Sequence, residues 1–308
     1  MKNNFTRGIL YACLAAIWWG MPQPIFFNEI KFIPSLEVAM HRGVWSFFIL
    51  FLSLLFLNDI YDFFKLFKSL KNIIILTITS LLIATNWLGF IYSVSIDKVQ
   101  DASLGYFLTP MISISLGYFI LKESLNLRKT ISVSMMLIAC LILFFTTSDS
   151  FPFLALLIGT TWGIYGLLRK QIQVSPATGL LFESGLISLF AVPYLIYLNF
   201  ENIGYFSLNF NYISIMLFFT GIVTIIPLFF FNLGLRHTTL GLAGVLFYIA
   251  PSFHFITSIF ILNEYMEVQK LIAFIIIWIA VGIFIYDAVK TFGSFFFTFK
   301  LFTIFIWF

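Results

Sequence analysis

Charged residues are scarce in this chain. They account for 10% of its 308 residues, whereas 61% are hydrophobic. Since a soluble domain carries roughly a quarter charged residues, the composition excludes an ordinary soluble protein and predicts that the lipid bilayer surrounds the chain. The few Lys and Arg residues form no basic cluster interleaved with polar residues, so we expect no nucleic-acid partner.

Cysteine and histidine are also rare. Cys13 and Cys140 fall in different apolar segments without metal-ligand spacing, and the three histidines are far apart in the sequence. Cysteines in apolar surroundings are mostly inert packing residues, so we expect neither a disulfide nor a metal site. The motifs of lipid transferases, membrane metalloproteases and serine hydrolases are missing as well. We therefore expect no cofactor and no enzymatic activity.

Long apolar runs take the place of the missing charges. The runs 73–83 and 271–285 are continuous, whereas the strands of a membrane β-barrel alternate apolar and polar residues. A helix crosses the hydrocarbon with about 20 apolar residues. We therefore predict an all-α polytopic membrane protein with ten transmembrane helices, at residues 8–28, 36–57, 72–96, 101–121, 128–147, 152–169, 176–198, 212–235, 240–262 and 268–288.

Two segments lie outside this scheme. Residues 58–72 combine regularly spaced Asp and Lys residues with phenylalanines, a pattern typical of an amphipathic segment on the membrane surface or of a frayed helix end. The Phe-rich tail, residues 291–308, contains Lys300 and is short for a span. We expect this tail to be interfacial or poorly ordered, and an eleventh span is the alternative.

The positive charges are unevenly distributed over the predicted loops. With the amino terminus in the cytoplasm, most of the 17 Lys and Arg residues, Arg169 and Lys170 among them, lie on the cytoplasmic side. This bias is the one that the positive-inside rule describes. We therefore predict a multi-pass protein of the cell (inner) membrane with both termini cytoplasmic. Asp287, at the end of the last span, is expected to be solvated.

The chain repeats itself at an interval of about 141 residues. The matched pairs are Pro110 and Pro251, Glu123 and Glu264, and Trp19-Gly20 and Trp162-Gly163. We predict two five-helix repeats, residues 1–147 and 148–290, followed by the tail. Because five is an odd number, the second repeat enters the membrane inverted. Inverted repeats are how many secondary transporters build a site that is reachable from either side.

Ionisable side chains inside the predicted spans are the candidate functional residues. A charge at the centre of the bilayer costs roughly 2.5–3.5 kcal/mol on insertion scales. The second span carries Glu37, His41 and Arg42, with Glu37 and His41 on one face because they are four residues apart. The seventh span carries Glu183 and the ninth carries His254.

The repeat brings some of these residues together. Pro34 matches Pro176, which maps His41 onto Glu183 and places Glu183 opposite His41 and Arg42. A basic wall facing an acidic one suits a zwitterionic or polar solute, or a proton-coupled gate. Alternatively, Arg42 and Glu183 pair with each other and only fix the helix register. Glu37 and His254 also have alternatives to a role in transport. Glu37 would then lie at the membrane interface, and His254 would be a hydrogen-bonded packing residue.

Two prolines lie near the middle of predicted spans. Pro110 and Pro251 each free the carbonyl four residues earlier, at Tyr106 and Phe247. These positions are candidate hinges for gating, or ordinary packing kinks. Polar and aromatic residues nearby are candidates for shaping a site for a partly apolar molecule; they include Asn86, Trp87, Tyr106 and Tyr248.

Several motifs occur together along residues 5–290. They are 37–45 with His41-Arg42, 86–88, 102–107 before Pro110, 165–170, 178–179 before Glu183, and 221–224 before Pro227. Together they resemble the RarD-type permeases of the EamA family, in the drug/metabolite transporter superfamily. The resemblance implies two inverted five-helix repeats around a central cavity and transport by alternating access. Thr109 stands where the resemblance leads us to expect Asn, a departure that bears on substrate choice.

The repeat, the buried charges and the resemblance predict a permease. We expect it to move a small metabolite or an amphiphilic drug across the cytoplasmic membrane, as a monomer or homodimer. Its partners are then a small-molecule solute and the lipid bilayer. Proton coupling through Glu183, His41 or Glu37 stays open, and the alternative function is a non-transporting scaffold or receptor.

Overall fold

The computed structural model describes residues 2–95, 99–147, 153–209, 211–253 and 268–292. Its helices are α1 Lys2–Gly20, α2 Pro22–Glu29, α3 Ser35–Phe56, α4 Ile60–Leu66, α5 Leu70–Ser95, α6 Val99–Phe119, α7 Leu127–Thr147, α8 Phe153–Gln171, α9 Pro176–Phe200, α10 Tyr212–His237, α11 Leu240–Leu246 and α12 Val268–Phe292. A turn at Phe247 and Tyr248 separates α11 from the helical residues 249–253. These ranges hold no β-strand, which confirms the all-α prediction. The predicted residues His254 and Glu264 and the tail 293–308 lie outside the described residues.

Seven segments are long and apolar enough to cross a membrane. They are Asn4–Glu29, Ser35–Phe56, Leu70–Phe90, Leu127–Phe145, Pro176–Phe200, Tyr212–His237 and Leu271–Lys290. Together they confirm a multi-pass membrane protein. The other three predicted spans correspond to α6, α8 and the shorter apolar helix Leu240–Phe253, so the count of ten stays a prediction.

Side-chain caps fix the start of several described helices, three of them in the second half of the chain. Ser175 accepts a hydrogen bond from the Thr178 amide at the start of α9, where Pro176 occupies the first helical turn. The side chains of Asn211 and Thr239 cap α10 and α11 in the same way. A side-chain oxygen at this position satisfies an amide that has no partner within the helix, and proline is favoured in the first turn because its missing amide is not needed there.

Residues 58–72 contain a helix of their own. In α4, the Lys65 ammonium donates to the Asp62 carboxylate over 2.7 Å, and Tyr61 and Phe64 are exposed. Leu66 is the buried residue of this helix, and α4 packs against α9. Since α4 is separated from α3 and α5 by turns, it is not the frayed end of either helix.

The two repeats pack against each other reciprocally. α3 packs on α9, α6 on α11 and α7 on α12, so each pair joins a helix to its counterpart in the other repeat. Likewise, α1 packs against α10 as its counterpart α8 packs against α5. Reciprocal contacts of this kind are expected when two similar halves are related by a two-fold axis.

Two matched glycines show the same reciprocity at close range. A Cβ atom on Gly20 would lie 2.7 Å from Cβ of Phe253, and one on Gly163 would lie 2.6 Å from Cγ2 of Ile112. Ile112 and Phe253 are 141 residues apart, the interval of the repeat. In each repeat, glycine therefore lets the first span approach the fourth span of the other repeat, as small residues do at membrane helix interfaces.

Asp287 is buried, contrary to the expectation that it is solvated. It is 3% exposed, and its carboxylate accepts a hydrogen bond of 2.6 Å from the Asn126 amide. The Arg128 guanidinium lies 3.6 Å from the same carboxylate. Sequence position at a span end does not reveal this pairing, because both partners come from the start of α7.

Candidate translocation site

Arg42 lies in the interior, on α3. Its Nε donates to the Thr224 hydroxyl over 2.9 Å. The guanidinium lies over the ring of Trp87, 4.4 Å from its centroid, and over that of Phe27 at 5.1 Å. Among the described residues no carboxylate forms an ion pair with Arg42. A buried cation is therefore held by a hydroxyl and two aromatic faces.

Glu183, on α9, is the centre of a buried polar network. The Arg169 Nε lies 3.6 Å from its Oε1, Thr79 donates to Oε1 over 2.7 Å, and Tyr165 donates to Oε2 over 3.3 Å. Asn232 completes the network, accepting from Arg169 over 2.9 Å and donating to the Tyr165 oxygen over 2.9 Å. Glu183 is thus paired with Arg169 and does not pair with Arg42.

The two charged residues are held by equivalent contacts. Arg42 on α3 binds Thr224 on α10, and Glu183 on α9 binds Thr79 on α5. α3 and α9 are counterparts in the repeat, as are α5 and α10. Counterpart helices therefore hold one cation and one anion, each bound to a threonine of the other repeat.

Arg169 and Thr79 were not among the predicted site residues. The sequence predicts Arg169 at the cytoplasmic end of the sixth span, 152–169, whereas α8 continues to Gln171 and the Arg169 side chain is buried. One signal was present in the sequence, because Tyr165 and Arg169 are four residues apart and share a helix face. Thr79 carries no such signal, since threonine is common in membrane helices.

Glu37 and His41 lie at the start of α3. The Glu37 Oε1 accepts from the Tyr205 amide over 2.7 Å and lies 3.9 Å from the His41 Nε2. The His41 Nδ1 accepts from the Trp45 indole over 3.2 Å. Glu37 is 1% exposed, so it forms a buried contact between α3 and the loop that joins α9 to α10.

A narrow cleft lies between the two repeats, beside Arg42 and Glu183. Its cavity volume is about 10 Å³, and it is lined from α3, α5, α9 and α10 by Ser46, Leu50, Ile83, Trp87, Leu180, Glu183, Ser184, Ile187, Thr224, Ile225 and Leu228. Two of the residues that hold Arg42, Trp87 and Thr224, are in this lining. The free space admits little more than a water molecule, so a larger solute requires the helices to move apart.

Asn86, Tyr248 and Tyr106 do not line the cleft. The Asn86 amide donates to the Ile158 carbonyl over 2.9 Å, which joins α5 to α8. The Tyr248 hydroxyl donates to the Phe107 carbonyl over 3.0 Å within the packed interior. The half-buried Tyr106 ring packs 6.0 Å from that of Phe247. These contacts join helices, and Tyr106 also lies within electrostatic range of Arg42.

The two mid-span prolines have different surroundings. α6 runs through Pro110 without interruption, whereas the helix that contains Pro251 is interrupted at Phe247 and Tyr248. The Phe247 carbonyl, which Pro251 leaves without its usual donor, accepts from the Ala250 amide over 3.0 Å. This tighter bond, to a donor three residues on, replaces the missing one.

The sequence matches a known family over both halves. Residues 6–145 and 150–286 each match the EamA-like transporter family. The chain belongs to the EamA-like transporter family. The predicted resemblance is therefore confirmed, as is the duplication of the fold within this EamA-family chain.

Relatives of this EamA-family chain match along nearly their whole length. An uncharacterized transporter of Vibrio cholerae is 33% identical, over 94% of this chain and 95% of the relative. The uncharacterized transporter YojE of Bacillus subtilis is 31% identical, over 92% and 95%. The protein RarD of Escherichia coli is 30% identical, over 92% and 96%. A solved crystal structure matches with a TM-score of 0.69 at 14% identity, over 94% of this chain and 99% of that chain, which shows a shared fold.

Proposed function

We propose that this chain is a secondary transporter that moves a small metabolite or an amphiphilic drug across the cytoplasmic membrane by alternating access. The observation that carries the proposal is the cleft between α3 and α5 of one repeat and α9 and α10 of the other, with Arg42 and Glu183 beside it. Neither repeat encloses this cleft alone. A site shared by two inverted repeats becomes reachable from either side when one repeat moves against the other.

The energetics of the buried charges favour transport over a scaffold or receptor. Removing a charge from water costs several kcal/mol even when it is paired, and apolar residues would hold helices together without that cost. Arg42 lacks even an ion-pair partner among the described residues. A scaffold has no use for such a residue, whereas a solute site does. Membership of a transporter family also favours transport over catalysis.

Two contacts between the repeats are the candidates for closing the cleft. Glu37 binds the Tyr205 amide at one end of the bundle. At the other end, the two oxygens of Glu123 accept from the Leu240 and Gly241 amides over 2.6 and 3.0 Å. In the predicted topology the first contact is external and the second cytoplasmic. Alternating access then requires that they open in turn, and with both formed the molecule is closed.

Glu183 is the preferred candidate for proton coupling among Glu183, His41 and Glu37. Its carboxylate binds Arg169, Thr79 and Tyr165 at once. Protonation would remove the attraction for Arg169 and weaken the bonds that join α9 to α5 and α8. The charge state of a single side chain would thus decide how tightly α9 is held to α8 of its own repeat and, through Thr79, to α5 of the other repeat.

The organisation of the chain follows the same proposal. The division into repeats 1–147 and 148–290 is supported by the two segments that match the family. Location in the inner membrane with both termini cytoplasmic is supported by the positive-inside bias. The monomer or homodimer stays a prediction.

Flux measurement in proteoliposomes tests the proposed function. The purified protein is reconstituted and assayed with amino acids, nucleosides and cationic amphiphilic drugs, while a dye reports internal pH. We expect flux of at least one solute class, lost in Glu183→Gln. Glu201→Gln is the matched control, because Glu201 is exposed at the end of the same helix. Absence of flux for every solute and for protons in the correctly inserted protein would contradict the proposal.

A further inference from the structure

The guanidinium of Arg42 has unused hydrogen-bonding capacity. Its Nε binds Thr224, and the two terminal nitrogens bind no acceptor among the described residues. The side chain is nevertheless 7% exposed. Both terminal nitrogens keep some accessible surface, since the fully buried nitrogen and oxygen atoms without a partner among the described residues belong to other side chains. An acceptor that the described residues do not supply can therefore reach the guanidinium from the cleft side.

The interior carboxylates are engaged elsewhere. Glu183 is bound by Arg169, Thr79 and Tyr165. Glu37, on the same helix as Arg42, is five residues away and therefore on a different face, and its Oε1 binds the Tyr205 amide. Neither carboxylate reaches Arg42.

The surroundings of Arg42 limit the size and charge of an acceptor. Trp87 and Thr224, which contact Arg42, also line the cleft, and the cleft is otherwise mostly apolar, with Leu50 and Ile83 from the first repeat. A planar guanidinium matches a carboxylate through two parallel hydrogen bonds. One unpaired cation balances one negative charge, whereas a phosphate monoester carries about −1.5 to −2.

We infer that Arg42 binds the carboxylate of the transported solute, and that this solute is a small organic monoanion with an apolar aliphatic or aromatic body. The inference rests on the proposed function, because it names the substrate class of the same cleft. The carboxylate occupies the free side of the guanidinium when the cleft opens, and the apolar body lies against Trp87 and the aliphatic lining. Glu183 keeps its own cation and does not repel the anion.

A matched set of solutes tests this inference. Phenylacetate, phenylacetamide and phenethylammonium share one ring and differ in charge. Proteoliposomes are loaded with these three and with a mixed pool of small acids, amides and amines, and export is followed by mass spectrometry against protein-free liposomes. We expect the protein to export carboxylates in preference to the neutral and cationic solutes.

Variants at Arg42 separate charge from geometry. Arg42→Gln should lower carboxylate export by about tenfold or more, since a charge-assisted bidentate pair is lost. Arg42→Lys should keep part of the export, because it retains the charge without the planar fork. Lys65→Gln is the control, since it removes one positive charge at an exposed site and should leave export unchanged.

Each outcome decides one of the two proposals. Equal carboxylate export by the protein and Arg42→Gln, or export confined to neutral or cationic solutes, would overturn the carboxylate inference and leave transport standing. No export of any solute or proton would overturn transport itself and the inference with it. If Arg42→Gln fails to insert, Arg42→Lys is the deciding variant. Unchanged carboxylate export by Arg42→Lys, with the melting temperature of the parent, would contradict bidentate recognition by the guanidinium.

Discussion

Trp19 and Trp162, which match each other in the repeat, meet edge to face with ring centroids 5.2 Å apart. Matched residues of two halves related by a two-fold axis touch only where they lie close to that axis. Phe231 and Phe247 pack against both rings. This aromatic cluster therefore marks the centre of the contact between the repeats, beside the helices that line the cleft.

Position at the axis suggests a mechanical role for the cluster. Residues near a rotation axis move least when one half turns against the other, so packing there is kept while the ends of the bundle open and close. Edge-to-face aromatic pairs contribute about 0.5–1.5 kcal/mol beyond the area they bury. The contacts of Glu37 and Glu123 lie away from this centre, and they are expected to break instead.

Substitutions at Trp162 test the packing of the cluster. Its indole N–H is buried without a hydrogen-bond partner, an arrangement that costs free energy. Trp162→Phe keeps an aromatic ring and removes the unsatisfied donor, so we expect a melting temperature in detergent equal to or above that of the parent. Trp162→Ala should destabilise the protein by about 3–5 kcal/mol. Equal losses in the two variants would show that the ring does not carry the packing.

The buried Arg169–Glu183 ion pair should affect the free energy of unfolding more than an ion pair on the surface does. Removing one member leaves an uncompensated buried charge and should cost about 3–5 kcal/mol, so Arg169→Met and Glu183→Leu should each lower the melting temperature. The double variant should recover much of that loss while solute flux stays absent. Thermal unfolding and flux are measured on the same preparations. A double variant that is as unstable as the sum of the single variants would contradict a direct pair.

The apolar pattern predicted the membrane helices well, because hydrophobic runs depend on the chain alone. The repeat matched His41, next to Arg42, with Glu183 and placed Glu183 opposite these two residues, which stays a prediction. The sequence did not reveal which side chains would bind Glu183 and Arg42. Glu183 pairs with Arg169. The rule for positive charges places Arg169 only at the cytoplasmic end of a span, because that rule counts residues near span ends without regard to where their side chains point.

The two end contacts should control access to the cleft from opposite sides. Ser46 lines the cleft, so a Ser46→Cys protein, with Cys13 and Cys140 replaced by alanine, reports accessibility through its rate of alkylation by a small membrane-impermeant reagent. Glu123→Gln weakens the contact with α11 and should raise the rate several-fold from one side. Glu37→Gln should raise it from the other side.

The alkylation experiment has its own control. Glu201→Gln changes an exposed carboxylate outside both contacts and should leave the rate unchanged from either side. If Glu123→Gln and Glu37→Gln raised the rate from the same side, the two contacts would not close opposite ends of the cleft. Equal rates in all variants would show that neither contact limits access.

Alanine substitutions at the matched glycines Gly20 and Gly163 should both be destabilising. A second substitution in the neighbouring helix should restore stability for only one of them. Gly163→Ala would place Cβ against Cγ2 of Ile112, and Gly20→Ala would place it against Cβ of Phe253 and the Ala250 carbonyl. Each should destabilise the protein by about 1–3 kcal/mol, as overpacking does. Ile112→Ala deletes the clashing Cγ2 and should restore the melting temperature of Gly163→Ala relative to Ile112→Ala alone. Phe253→Ala keeps its Cβ and should fail to rescue Gly20→Ala. Rescue of both variants would mean that the first span of each repeat lies farther from the fourth span of the other repeat than these distances indicate. It would contradict the reciprocal packing of the repeats.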